Sequence, residues 1–202
     1  MTTSEMEHTQ PGRWFWLLWL LATIAGLIVS FAIMFVGLGA TLDNTPEAVF
    51  GAVFGGVLGA GYGVAQWVML RKYVDGIGWW VPLTVVGWTV FWAANIAGLL
   101  GEGRGLAGKI VEGIVHGAIL GGFVGLLQWL LLRSEISRAG RWILISAVAW
   151  SVGAALGDGI STALDGDGPM SILIAFLVSG VIAGIGMMRL LQQGPTAEVG
   201  RD

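Results

Sequence analysis

Gly51-Ala-Val-Phe-Gly55-Gly-Val-Leu-Gly59-Ala-Gly-Tyr-Gly63-Val-Ala-Gln66-Trp67-Val-Met-Leu-Arg71 is written a second time 62 residues later. The copy reads Gly113-Ile-Val-His-Gly117-Ala-Ile-Leu-Gly121-Gly-Phe-Val-Gly125-Leu-Leu-Gln128-Trp129-Leu-Leu-Leu-Arg133. The match runs without a gap from 51–90 onto 113–152, with about fifteen identities in forty positions, which points to duplication rather than chance. The repeats cover about 51–92 and 113–154.

The residues around this pair fix the class. Apolar residues make up 55% of the chain, charged residues 11%, and the mean hydropathy is +0.80, a balance that belongs in a bilayer rather than on a water-facing surface. Six apolar stretches, at 14–37, 47–70, 79–100, 110–132, 142–161 and 170–190, have the roughly twenty residues needed to cross about 30 Å of hydrocarbon. The expected fold is an all-α membrane protein with six transmembrane helices. It has a polar leader at 1–12, one transmembrane domain at 13–191 and a polar tail at 192–202. The leader carries Glu5 and Glu7 instead of a basic region, and the first apolar run continues past a signal-peptide core, so it reads as a retained helix. The absence of cysteine excludes disulfides and thiolate chemistry.

Charge sorts by side. Arg13, Arg71, Lys72, Arg133, Arg138, Arg141, Arg189 and Arg201 fall on one side of a six-helix path, with Arg104 and Lys109 on the other. The positive-inside rule then places both termini in the cytoplasm. The opposite side is acidic, with Asp43, Glu47, Glu102, Glu112, Asp158, Asp165 and Asp167.

A degraded triplication extends the pattern. Gly78-Trp-Trp80 and Gly140-Arg-Trp142 open segments three and five, and Gly12-Arg13-Trp14 opens segment one. In segment six Gly180 and Gly184 lie on Gly59 and Gly63, while the Gln-Trp pair has become Met187-Met188. The expected unit is a helical hairpin, Trp-led going out and Gly-rich coming back, giving parallel repeats and a pseudo-threefold bundle.

Glycines at every fourth position trace a narrow ridge that admits a neighbouring backbone, and two such rows are present. Gly51, Gly55, Gly59 and Gly63 form one; Gly113, Gly117, Gly121 and Gly125 form the other. Gln66 and Gln128 lie in the middle of these faces, where an amide either bonds across the helix interface or lines a polar path. Trp67 with Arg71, and Trp129 with Arg133, read as interfacial anchors, with rings at headgroup depth and guanidinium groups reaching phosphate.

The remaining polar positions are fewer. Thr84 and Ser146 are equivalent and suit local backbone bonding. Asn95 continues the row Trp88, Trp92 and has Gly157 as its counterpart. Glu112 and His116 share one face at a spacing of four, where the other repeat has Phe50 and Phe54. They read either as a proton relay or cofactor ligand, for haem or a pigment at His116, or as a pair held at the water face with Lys109. Neither a metal site nor a nucleic-acid site is indicated. Gly103-Arg-Gly105-Leu-Ala-Gly108 imitates a dinucleotide fingerprint but follows a membrane helix instead of a strand. Asp165-Gly-Asp167-Gly lacks the later ligands of a calcium loop. No catalytic constellation is present, so an enzyme is not expected.

The Gly rows ending in Gln66-Trp67-x-x-Leu70-Arg71 and Gln128-Trp129-x-x-Leu132-Arg133 resemble a group of uncharacterised bacterial polytopic membrane proteins that repeat this hairpin. The resemblance implies a bacterial plasma (inner) membrane and carries no activity. Three functions remain open. One is a non-catalytic scaffold or accessory subunit packing with itself or a larger membrane complex. Another is a small channel or transporter with a path lined by Gln66, Gln128 and Asn95. The third is a cofactor-bearing subunit using His116.

Overall fold

The computed structural model describes residues 11–38, 45–166 and 168–193, and all regular structure among them is helical. Helix α1 spans Phe15–Ala32 and continues into a π-helical segment, Ile33–Leu38. Helices α2 (Glu47–Leu70), α3 (Trp80–Ile96), α4 (Gly105–Leu132), α5 (Arg141–Ala163) and α6 (Gly168–Leu191) follow, with a 3₁₀ turn at Ile77–Trp79 leading into α3. Six helical runs are long and apolar enough to cross a membrane. Residues 1–10 with His8, then Asp43, Asp167 and the tail from 194 with Arg201, lie outside the described residues.

Two boundaries depart from the sequence reading. Segment three was expected to run to 100, but α3 stops at Ile96, because Gly98 and Gly101 adopt positive φ and turn the chain out of the helix. Segment four was expected from 110, yet α4 begins at Gly105, so Lys109 is helical rather than in a loop. Apolar length marks where a helix can be buried in lipid, and a helix continues beyond that point when its polar end finds partners.

Each helix packs on its neighbours in the chain, and α1 closes on α6, so the six form a ring. Pro11 and Gln192 meet at the closure, where Gln192 Nε2 donates to Pro11 O at 3.4 Å. The start of α1, the end of α6 and the α2–α3 and α4–α5 turns therefore share one end, with Val74, Ile77, Ile136, Ala139 and Leu190 buried together there. We call it the termini end.

Glycine decides how closely the helices approach. A Cβ at Gly55 or at Gly117 would meet the carbonyl oxygen of Trp88 or of Trp150, residues themselves 62 apart. At Gly63 it would lie 3.1 Å from Thr84 Cβ, and at Gly125 3.0 Å from Ser146 Cβ. The α2–α3 contact thus recurs in α4–α5, and the close approach is to the helix that follows each Gly-rich one. Gly184 on α6 uses α1 in the same manner, 3.0 Å from Trp19 Cδ1 and 3.1 Å from Trp16 O. Trp14, aligned by sequence with Trp80 and Trp142, is 57% exposed, whereas the next residue, Phe15, is 2% exposed and shares one buried cluster with Trp80 and Trp142.

Candidate functional site

The inside of the ring holds two distinct groups of polar residues, one toward each end. Toward the termini end are Gln66 and Gln128, both fully buried. The Trp80 indole donates to Gln66 Oε1 at 3.0 Å, and the Trp142 indole donates to Gln128 Oε1 at 2.8 Å. Gln128 Nε2 donates to Thr84 Oγ1 at 2.9 Å and to Gln66 Oε1 at 3.3 Å. Thr84 Oγ1 in turn donates to Trp80 O at 2.8 Å. These donors settle both amide orientations, since a flip of either would set N–H against indole N–H. Gln66 Nε2 is the member left without a partner.

Next toward the opposite end comes an aromatic layer. Trp88 and Trp150 lie 5.0 Å apart edge to face, Trp150 and Phe176 5.2 Å, and Tyr62 packs on all three. The Tyr62 hydroxyl lies toward Gln66 and Trp150.

Beyond this layer a cavity of about 130 Å³ opens between α3, α4, α5 and α6. Its polar lining is Asn95, Glu112, His116, Asp158 and Ser171. Glu112 is heavily engaged: Lys109 Nζ and the Gly103 N–H each donate to its Oε2 at 2.8 Å, and His116 Nδ1 stands 3.8 Å from its Oε1. It therefore ties the loop after α3 to α4. The other ring nitrogen of His116 faces Leu100 O at 3.4 Å, so both nitrogens point to protein oxygens, a poor arrangement for an axial haem or pigment ligand. Asp158 on α5 accepts the Ser171 hydroxyl of α6, and among the described residues it has no cationic partner. No group of three or more metal-ligating side chains occurs among those residues.

The polar residues singled out from sequence are thus divided. Gln66 and Gln128 meet each other, while Asn95, Glu112 and His116 line the cavity with neither glutamine among them. The residues read from sequence as interfacial anchors stack within their own turn: Arg71 lies over Trp67 at 4.9 Å and Arg133 over Trp129 at 5.6 Å. Sequence reasoning did not single out Trp80 or Trp142 as the glutamines' partners, nor Asp158 as a cavity residue. Asp158 carried a usable signal, being a charge inside an apolar stretch. No protein-family profile, curated protein or solved structure matches this chain.

Proposed function

We propose that this chain is a non-catalytic helix-packing protein of the bacterial plasma membrane, a scaffold or accessory subunit, with both termini in the cytoplasm. The observation that carries the reading is the hydrogen-bonded set of Gln66, Gln128, Trp80, Trp142 and Thr84 in the middle of the ring, in which Gln66 Nε2 alone lacks a partner. Groups that satisfy one another in this way hold helices in register and leave little to offer a passing solute. A transport path along Gln66, Gln128 and Asn95 would have to part the two amides and the aromatic layer beneath them.

The outward faces support the same reading. Ile28, Phe35, Leu144 and Val148 are among many large apolar side chains turned outward, fit for lipid or for another apolar helix. We take the ring to descend from a duplicated hairpin, supported by the contacts that recur 62 residues apart, with α6 and α1 as a degraded third copy. Where the third copy lacks glutamine, at Met187, the buried cluster it shares with Phe15 also holds Trp19, whose indole N–H is buried without an acceptor.

The test is mild-detergent extraction of the tagged chain from its own membrane, with mass spectrometry of what co-purifies. A partner in fixed proportion, or a homo-oligomer inactive in liposome flux, is the expected result. A lone chain that conducts or transports, and stops doing so with Gln66→Leu and Gln128→Leu combined, would replace this reading with the channel.

A further inference from the structure

The cavity opposite the termini end has no part in the packing just described, and its chemistry is unbalanced in two ways. Asp158 is half-buried with one hydroxyl donor and no ion pair of its own among the described residues, Lys109 and His116 acting on it only at longer range from beside Glu112. Trp88 is wholly buried and lines the cavity, yet its indole N–H has no acceptor, and the Trp92 indole N–H beside it is also buried and unpartnered. A half-buried carboxylate without an ion pair and a buried donor without an acceptor are each unfavourable. A ligand carrying a positive group and an oxygen acceptor would answer both.

We infer that this cavity binds a small organic ammonium ion bearing a hydroxyl, ether or carbonyl oxygen. Asp158 receives the ammonium group, with Glu112 adding negative potential from behind its own Lys109. The aromatic floor of Trp88, Trp150 and Phe176 favours an organic cation over a bare one through cation–π attraction, as in cages for quaternary ammonium groups. The indole N–H groups of Trp88 and Trp92 take the oxygen.

Size agrees with this class. At about 130 Å³ the space is close to the ~150 Å³ that accepts benzene, so a headgroup-sized amine fits. A metal ion fits poorly, because the lining lacks three convergent ligands among the described residues. An anion would face Asp158 and Glu112. The same ammonium chemistry arrives either as a free amine or as the headgroup of an ethanolamine or choline lipid.

The test uses the full chain in nanodiscs of phosphatidylglycerol alone, titrated with choline and ethanolamine and followed by tryptophan fluorescence and calorimetry. The neutral isostere 3,3-dimethylbutan-1-ol serves as control. Saturable binding of an amine below about 10 mM is expected, with Asp158→Asn at least about tenfold weaker and Trp88→Phe weaker with its ring kept. Thermal unfolding confirms that both variants fold.

Sources separate in a second arm. If the ligand is a lipid, protein extracted from phosphatidylethanolamine membranes retains about one such lipid in native mass spectra, and Asp158→Asn loses it. If it is a free amine, no lipid is retained and titration behaves alike in both membranes. The inference is overturned by absent binding in both arms, by equal binding of the neutral isostere, or by an Asp158→Asn protein that binds as before; any of these makes the space a water-filled vestibule only.

Discussion

Gln128 donates from Nε2 to Oε1 of Gln66 at 3.3 Å, joining across the ring two residues that occupy the same place in two copies of one motif. The bond is directional, and its asymmetry has consequences. Gln128 uses its oxygen for Trp142 and its nitrogen for both Thr84 and Gln66, whereas Gln66 is an acceptor only and leaves its nitrogen idle. Two positions nearly identical in sequence are therefore unequal in energy.

Gln128→Leu should cost more stability than Gln66→Leu. The first strands the Trp142 indole N–H, a penalty of about 1–3 kcal/mol, and strips Thr84 of a donor. The second strands the Trp80 N–H but also removes an unpartnered amide nitrogen that was itself unfavourable. Reversible unfolding in mixed micelles reads the order, and the double mutant should show a coupling of about 0.5–1.5 kcal/mol. Equal costs with no coupling would remove the directional network.

The glycine ridges predict a contrast within one helix. In Gly117→Ala the new methyl meets Trp150 backbone and lies 2.6 Å from Ser151 Cα, so α4 and α5 must separate. In Gly122→Ala its nearest neighbour is Ala147 Cβ at 4.0 Å. Gly117→Ala should lose about 1–3 kcal/mol through overpacking, and Gly122→Ala should be neutral or gain up to about 1 kcal/mol from helix propensity. Thermal unfolding of the pair is the check, and a reversed order would show that α4 and α5 do not approach as described.

What the sequence discloses follows from the range of the forces involved. Six spans are legible because apolar length is local, and the glycine ridges are legible because they repeat every four residues. The glutamines could be set on the glycine faces, but not given partners, because Trp80 and Trp142 come from the next helix and lie 14 residues away. The ends of α3 and α4 escaped because the turn at Gly98 and Gly101 and the Gly103 bond to Glu112 involve no apolar pattern. Asp158 resembled a loop charge beside Asp165, and only the ring closing α6 against α5 places it at a cavity.

Glu112 predicts a loop effect that separates shape from charge. Its Oε2 holds the Gly103 N–H and Lys109 together. Glu112→Ala should raise hydrogen exchange across 97–104 by at least about tenfold, because the N–H loses its acceptor. Glu112→Gln should keep most of the protection, since its amide oxygen still accepts from Gly103, and a partly exposed ion pair adds only about 0–1 kcal/mol. Equal opening in both variants would make the ion pair with Lys109, and not the Gly103 bond, the tie.

The proposed orientation rests on charge, and the chain is suited to a direct test because it has no cysteine to remove. Asp75 and Glu135 are exposed in the α2–α3 and α4–α5 turns at the termini end; Glu102 and Leu164 are exposed beyond the far ends of α3 and α5. Arg71, Lys72, Arg133, Arg138 and Arg141 crowd the first pair of turns, and translocating each such charge across the membrane is unfavourable, so that end should stay in the cytoplasm. Glu102→Cys and Leu164→Cys should then react with an impermeant maleimide on intact spheroplasts. Asp75→Cys and Glu135→Cys should react only after permeabilisation. The result also fixes where the cavity opens: with this pattern Asp158 and Trp88 face ligands arriving from outside the cytoplasm. The opposite pattern would invert the topology and turn the same site toward cytoplasmic amines.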